Sequence, residues 1–147
     1  MMENRDEINV LLSVVGENQA SGEGEPDVIR LVTTGQLKKT PKGHRLTYTE
    51  TDPESGEGQD IVIDVSGKRV VMTRGGTFGT TMVFEKDRRF DGQYATPWGN
   101  LSMGIYTTRT DFSLTPDEGR LDLDYQVDLQ GRYAAMHHLK LRFAPND

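Results

Sequence analysis

The stretch Leu121-Asp122-Leu123-Asp124-Tyr125-Gln126-Val127-Asp128-Leu129 alternates apolar and polar residues without a break. Successive side chains of an extended strand point to opposite faces, so this run places one face in a core and the other in water. A second alternating run, Leu139-Lys140-Leu141-Arg142-Phe143, lies beyond the turn-type sequence Gln130-Gly131-Arg132. Folding one run onto the other about a three-residue loop sets Leu123 opposite Leu139 and Leu121 opposite Leu141 on the inside. On the outside Asp122 meets Lys140 and Asp124 meets His138, a complementary charge ladder. Tyr125 then lies beside His137, both facing inward. A slip of one residue would spoil every one of these pairs, which favours this register.

The same period of two recurs in Ile8 to Val14, Ile61 to Val65 and Leu101 to Ile105. Val28 to Leu37, Leu46 to Thr51, Val70 to Arg74, Thr80 to Glu85 and Thr110 to Leu114 complete the set of expected strands. Between them lie turn signals. Glu17 to Asp27 is polar and rich in glycine and is expected to be a loop, as is Thr51 to Gly58. In Thr40-Pro41-Lys42-Gly43 the proline presets φ and the glycine permits a positive φ. Ser66-Gly67-Lys68, Arg74 to Gly79, Glu85 to Arg89 and Thr115 to Gly119 close further hairpins. No segment sustains a 3.6-residue apolar period, so the chain is all-β. Many short strands in an open sheet would leave edges, and closing the sheet removes them. The expected fold is a single antiparallel β-barrel of about 8–10 strands.

Composition agrees and narrows the functions. With 147 residues the chain fits one domain spanning 1–147, with residues 1–7 read as a flexible N-terminus. It contains no cysteine, which removes disulfides, thiolate nucleophiles and cysteine-based metal sites. The net charge of −6 is unevenly placed. Residues 1–27 carry seven acids and one base, while the remainder carries sixteen of each and sums to zero. That balance gives no basic stripe for a nucleic acid. The basic cluster Lys38, Lys39, Lys42, His44 and Arg45 reads as a solvated hairpin tip whose lysines protect an edge. The charged start lacks the pattern of a signal peptide, and no run approaches the roughly 20 apolar residues of a membrane span. A cytoplasmic protein without membrane association is expected.

The segment Tyr94-Ala95-Thr96-Pro97-Trp98-Gly99-Asn100-Leu101-Ser102-Met103-Gly104-Ile105-Tyr106-Thr107, followed by Gly119-Arg120-Leu121-Asp122-Leu123-Asp124-Tyr125, resembles the YwiB-like family of bacterial β-barrel proteins. The resemblance extends over nearly the whole chain. It implies a calycin-like barrel, similar in shape to lipocalins, in an intracellular protein of Bacillota-type bacteria. It brings no catalytic or binding residues with it. The Gly-x-Trp signature of lipocalins is absent from the first strand, since the one tryptophan is Trp98. Physically, Pro97 holds Thr96 extended and Gly99 permits a bulge or a close backbone approach. The aromatic residues of this segment are expected to plug one end of the barrel.

Candidate site residues follow from which positions face inward. Tyr48, Met72, Phe84, Trp98, Met103 and Tyr125 would line an interior about the size of one small molecule. Arg74 shares the phase of Val70 and Met72, and an inward arginine needs a carboxylate or an anionic ligand. His137 and His138 are adjacent and so face opposite ways. Together with His44 they make no metal site, and no cofactor is implied. His137 beside Tyr125 reads as an interior hydrogen bond, or as a polar contact to a ligand or an acid/base dyad. The glycines of Gly75 to Gly79 are not a phosphate loop, because a strand follows instead of Lys-Ser/Thr and a helix. No Gly-x-Ser-x-Gly elbow occurs, and no catalytic residue is assigned. The leading expectation is a binding module for a small apolar or amphipathic ligand, using Tyr48, Arg74, Trp98, Met103, Tyr125 and His137. The alternative is a filled barrel that recruits a protein, including a second copy as a homodimer. An enzyme built on His137, Tyr125 and Arg74 has the fewest features behind it.

Overall fold

The structure is a computed structural model that describes residues 7–20, 25–51, 56–75 and 79–146. Ten strands follow one another: β1 (Glu7–Ala20), β2 (Asp27–Thr40), β3 (Gly43–Thr51), β4 (Gly58–Ser66), β5 (Arg69–Arg74), β6 (Thr80–Glu85), β7 (Arg89–Thr96), β8 (Gly99–Leu114), β9 (Gly119–Leu129) and β10 (Arg132–Pro145). They form a single antiparallel sheet in the order β6-β5-β4-β3-β2-β1-β10-β9-β8-β7. The first and last strands pair with each other, from Val10 opposite Pro145 to Ala20 opposite Ala135. The two edges, β6 and β7, are consecutive in sequence, and the barrel closes where the end of β6 meets β8 just beyond its pairing with β7. There Lys86 bridges Thr107, and the Asp87 amide donates to the Thr107 carbonyl at 2.7 Å. The sheet is thereby rolled into a nearly closed barrel, as expected. Among the described residues no helix is long and apolar enough to cross a membrane.

Strand alternation accounts for the interior. Leu121, Leu123, Tyr125 and Val127 of β9 face inward and pack with Leu12, Ile61, Ile63, Phe84, Leu141 and their neighbours into one core. Each fully buried aliphatic or aromatic side chain of this kind stabilises the fold by about 1.5–3 kcal/mol. The pairs of Leu123 with Leu139, Leu121 with Leu141, Asp122 with Lys140, Asp124 with His138 and Tyr125 with His137 are all present. The turn differs in detail from a three-residue loop. Leu129 pairs with Arg132 across a two-residue turn, and a bulge between Tyr133 and Ala135 restores the register. Gln130 and Gly131 both have positive φ, 54° and 78°, the signature of a type I′ turn that follows strand twist.

Three expectations about the strands are corrected. Leu101 to Ile105 and Thr110 to Leu114 are one strand, β8, and not two. A register shift between Thr107 and Arg109 inverts the phase, so odd positions face inward before it and even positions after it. The strand β7, from Arg89 to Thr96, is not among the expected ones, because it lies on an edge and is mostly exposed. Finally, β1 continues to Ala20, so Glu17 to Ala20 is strand and not loop. Residues 21–24, 52–55 and 76–78 of the expected loops, and 1–6 of the expected flexible N-terminus, lie outside the described residues.

Two glycines explain local geometry. Gly43 does not supply the positive φ expected of the Thr40–Gly43 turn. A Cβ there would instead overlap the Val65 carbonyl, so the residue permits a close strand approach. Gly35 plays a similar part where β2 crosses β3, since a Cβ would overlap the Thr47 carbonyl and crowd Leu12 and Tyr48. Beyond that crossing the strands part. β2 pairs with β1 from Asp27 to Lys38, but with β3 only from Gly35 to Thr40. Among the described residues, positions 27–34 thus leave one edge of β2 without a partner strand.

Candidate functional site

The strand ends at Ala20, Thr51, Arg74, Thr96 and Leu129 all lie at one end of the barrel, which antiparallel order dictates. Near that end polar residues replace apolar ones at inward positions. Gly35, Tyr48, Ile61, Arg74 and Thr80 form one row across five strands. Residues directly opposite in such a row share a face, so Tyr48, Arg74 and Thr80 share the inner one. Glu50 and Gln59 are opposite each other one step nearer the end. Arg74 Nη1 donates to Glu50 Oε1 at 3.4 Å and to Gln59 Oε1 at 3.3 Å. The inward arginine therefore has the carboxylate partner it requires. A second row, Thr107, Tyr125, His137 and Asn18, comes from β8, β9, β10 and β1.

Burial sets the electrostatics. It pushes the Tyr48 phenol up to about 12; Glu50 adds to the shift, Arg74 opposes it, and Tyr125 adds slightly. Burial likewise pushes the Tyr125 phenol up to about 12, against the opposing charge of Arg74. Arg74 therefore acts on both phenols, which stay protonated donors at neutral pH. Burial holds His137 below the ordinary imidazole value, favouring the neutral ring.

The expectation of a hydrogen bond between His137 and Tyr125 is not met. Their rings stack, 5.1 Å apart and 9° from parallel, and Phe84 tilts against Tyr125 at 4.6 Å. Tyr125 is thus wedged between an aromatic and an imidazole. Thr80 and Thr107 keep buried hydroxyls without a hydrogen-bond partner among the described residues.

Of the residues singled out from sequence, Tyr48, Arg74, Tyr125 and His137 gather around this part of the interior. Met103 is buried in the core. Trp98 does not plug the barrel: it is 93% exposed at the tip of the β7–β8 turn. There Thr96 Oγ1 donates to the Gly99 carbonyl at 2.6 Å and accepts from the Trp98 amide at 3.2 Å. The turn chemistry of Thr-Pro-Trp-Gly accounts for the segment, and Trp98 drops out of the site. Met72 and Phe84 are packed into the core, so the middle of the barrel is occupied by side chains. Glu50, Gln59 and Thr80 were missed. Parity held the signal for the first two, which lie two residues from the inward Tyr48 and Ile61.

The outer face is polar and organised differently. Asp122 is almost fully buried and takes the Arg142 guanidinium at 3.2 Å, although its directly opposed cation is Lys140. His138 contacts Asp124, so the two adjacent histidines do face opposite ways. Arg89 Nη1 reaches across β8 to Asp128 Oδ2 at 2.6 Å. A Cβ on Gly104 would overlap that guanidinium, so the glycine is what lets Arg89 lie flat over the strand. Hydrogen bonds from Arg89 and then Gln126 hold the Asp128 carboxyl below the usual carboxylate range. A groove of about 200 Å³ runs past Leu11, Val32 and Arg142, outside the Tyr48–Arg74–Tyr125 cluster.

The comparisons with known proteins bear on fold and family. The crystal structure of ywiB protein from Bacillus subtilis matches with a TM-score of 0.83 at 20% sequence identity, covering 97% of this chain and 95% of that one. At that identity the likeness establishes the shared fold. A search of curated proteins finds no match. The family described as Domain of unknown function (DUF1934) matches residues 13–141. That match spans most of the barrel, from β1 through β10, and the chain belongs to the DUF1934 family.

Proposed function

We propose that the protein is a binding barrel that takes a small amphipathic molecule at the polar end of its interior. The observation behind this reading is the convergence of inward polar groups with spare hydrogen-bonding capacity: Tyr48, Arg74, Thr80, Tyr125 and His137. Buried polar groups in folded proteins are normally paired, and the buried Thr80 hydroxyl has no partner among the described residues, while Arg74 holds its two acceptors only at 3.3 and 3.4 Å. A guest that completes these groups suits the site. Partly buried Val14, Leu31, Met82, Leu129 and Leu139 flank the core and offer apolar surface beside them. The parting of β2 from β3 beyond Gly35 leaves the wall thinner on the same side. With the middle filled, the guest would sit at this end and not along the barrel axis.

A thermal-denaturation screen against small amphipathic and apolar molecules tests the reading. A ligand at a hundred times its Kd stabilises the fold by about 2.7 kcal/mol. That gain is expected for a true guest, and it should persist in Trp98→Ala. If no molecule raises the melting temperature, or if Trp98→Ala abolishes the shift, interior binding is wrong.

One observation favours a second reading, a barrel that recruits protein. The unpaired edge of β2 exposes Ile29 at 73% and Val32 at 70%, with Val28 beside them, a surface suited to strand addition. Sedimentation of the same samples separates the two. A dimer that dissociates in Ile29→Lys supports the edge; a monomer at all concentrations rejects self-pairing there.

A further inference from the structure

We propose that the guest carries a singly charged carboxylate head, and that Arg74 receives it in exchange for Glu50. The inference rests on the interior-binding reading and names the chemistry of its ligand. A guanidinium has five N–H donors in a planar fork. Among the described residues only Nη1 of Arg74 is engaged, by two acceptors at 3.3 and 3.4 Å. Both contacts are long for a charge-assisted pair, which ordinarily closes to about 2.7–2.9 Å. Nε and Nη2 make no hydrogen bond to a described residue, so none of these takes the bidentate face of the fork.

The neighbours of that face are donors too. Thr80, directly opposite Arg74 in the ladder, has a buried hydroxyl without a partner among the described residues. Tyr48 is in the same row, and Tyr125 is close enough to feel the charge of Arg74. A cluster of one fixed cation and three hydroxyls is matched by a group that only accepts. A carboxylate presents two oxygens with the spacing of the guanidinium fork. Glu50 is about one-third exposed at its side chain, near the end of its strand, so it can turn to water and give up its place. The exchange leaves Arg74 neutralised by one negative charge. A dianionic phosphate would leave an excess negative charge beside Glu50, which is why the head is assigned as a carboxylate.

Glu50 then acts as an internal competitor, and the test uses that. Binding of dodecanoate, dodecanol and dodecyl phosphate is measured by calorimetry on the wild-type chain, Arg74→Gln and Glu50→Gln, with melting temperature reporting the fold of each. Dodecanoate is expected to bind best. Arg74→Gln should weaken it by about tenfold or more, since a hydrogen bond to a charged group contributes about 1.5–3 kcal/mol. Glu50→Gln should strengthen it, and dodecanol should respond to neither change. If Arg74→Gln does not fold, the gain in Glu50→Gln decides. Equal binding of dodecanol and dodecanoate would keep the interior site and overturn the charged head. Tighter binding of dodecyl phosphate would overturn the carboxylate. Binding of none of the three would overturn the inference together with the reading beneath it.

Discussion

β7 and β9 flank the same strand, yet they are held in unlike ways. β9 has a partner on each side, β8 and β10, and its inward residues Leu121 and Leu123 are at most 1% exposed. β7 is laddered to β8 alone, and most of its residues are exposed. What fixes β7 is the two-residue turn at Pro97-Trp98 and the reach of Arg89 to Asp128 over Gly104. Burial on one face writes a period of two into a sequence, because each inward position must be apolar. An edge strand that buries little is free of that demand, and its order comes from individual polar contacts.

The largest effect that separates the two strands comes from truncating the core. Leu123→Ala is expected to cost about 2–5 kcal/mol, read as a lower urea midpoint. Phe90→Ala on β7, only half-buried, should cost clearly less. Equal losses would mean that β7 is as well packed as β9. A smaller effect comes from Gly104→Ala, whose methyl group would displace the Arg89 guanidinium from Asp128. Amide exchange in β7 should then quicken by roughly tenfold while β9 is unaffected. Adding Arg89→Ala should bring no further loss, because both changes break one contact; additive losses would refute the clasp.

The smallest effect is a pH dependence on the β9 side, where His137 stacks on Tyr125. Its folded pKa lies below the ordinary value of about 6.5. The unfolded chain therefore takes up a proton that the folded one refuses, and stability falls as pH drops below about 6.5. Measured from pH 7 to 5, His137→Gln should flatten that slope; an unchanged slope would place the titration elsewhere. At the alkaline end the sign reverses. The Tyr48 and Tyr125 phenols ionise near 10 when unfolded but at about 12 when folded, so stability is lost as pH rises across that window.

The contrast between the strands also explains what could be read in advance. The β9–β10 register was legible down to individual pairs, because five alternating positions and a turn allow one solution. β8 was misread as two strands, since the bulge between Thr107 and Arg109 shifts the apolar phase from odd to even. Alternation alone does not distinguish such a shift from a chain reversal. The inward direction of Arg74 followed from phase, and so did its need for a carboxylate. Which carboxylate answered it depended on how β3, β4 and β5 align, which is a matter of tertiary register. Trp98 misled because a large aromatic suggests a core, whereas Thr96 and Gly99 fold it into an exposed turn. The stacking of His137 on Tyr125, in place of a hydrogen bond, is a choice of rotamers that pattern does not encode.

The pairing of β1 with β10 has a consequence for the time course of folding. Every other ladder in the sheet joins strands that are neighbours along the chain and can zip from a local turn. This one joins segments separated by eight intervening strands, and its closure must wait until the two remote segments find each other. The entropy of closing so large a loop is met late, which slows the search relative to hairpin formation. Until then Leu12 and Leu141, which end up fully buried, face water on two unfinished margins. The vulnerable interval for misassociation is set by this ladder, and not by the seam where the end of β6 meets β8, which lie only one hairpin apart along the chain.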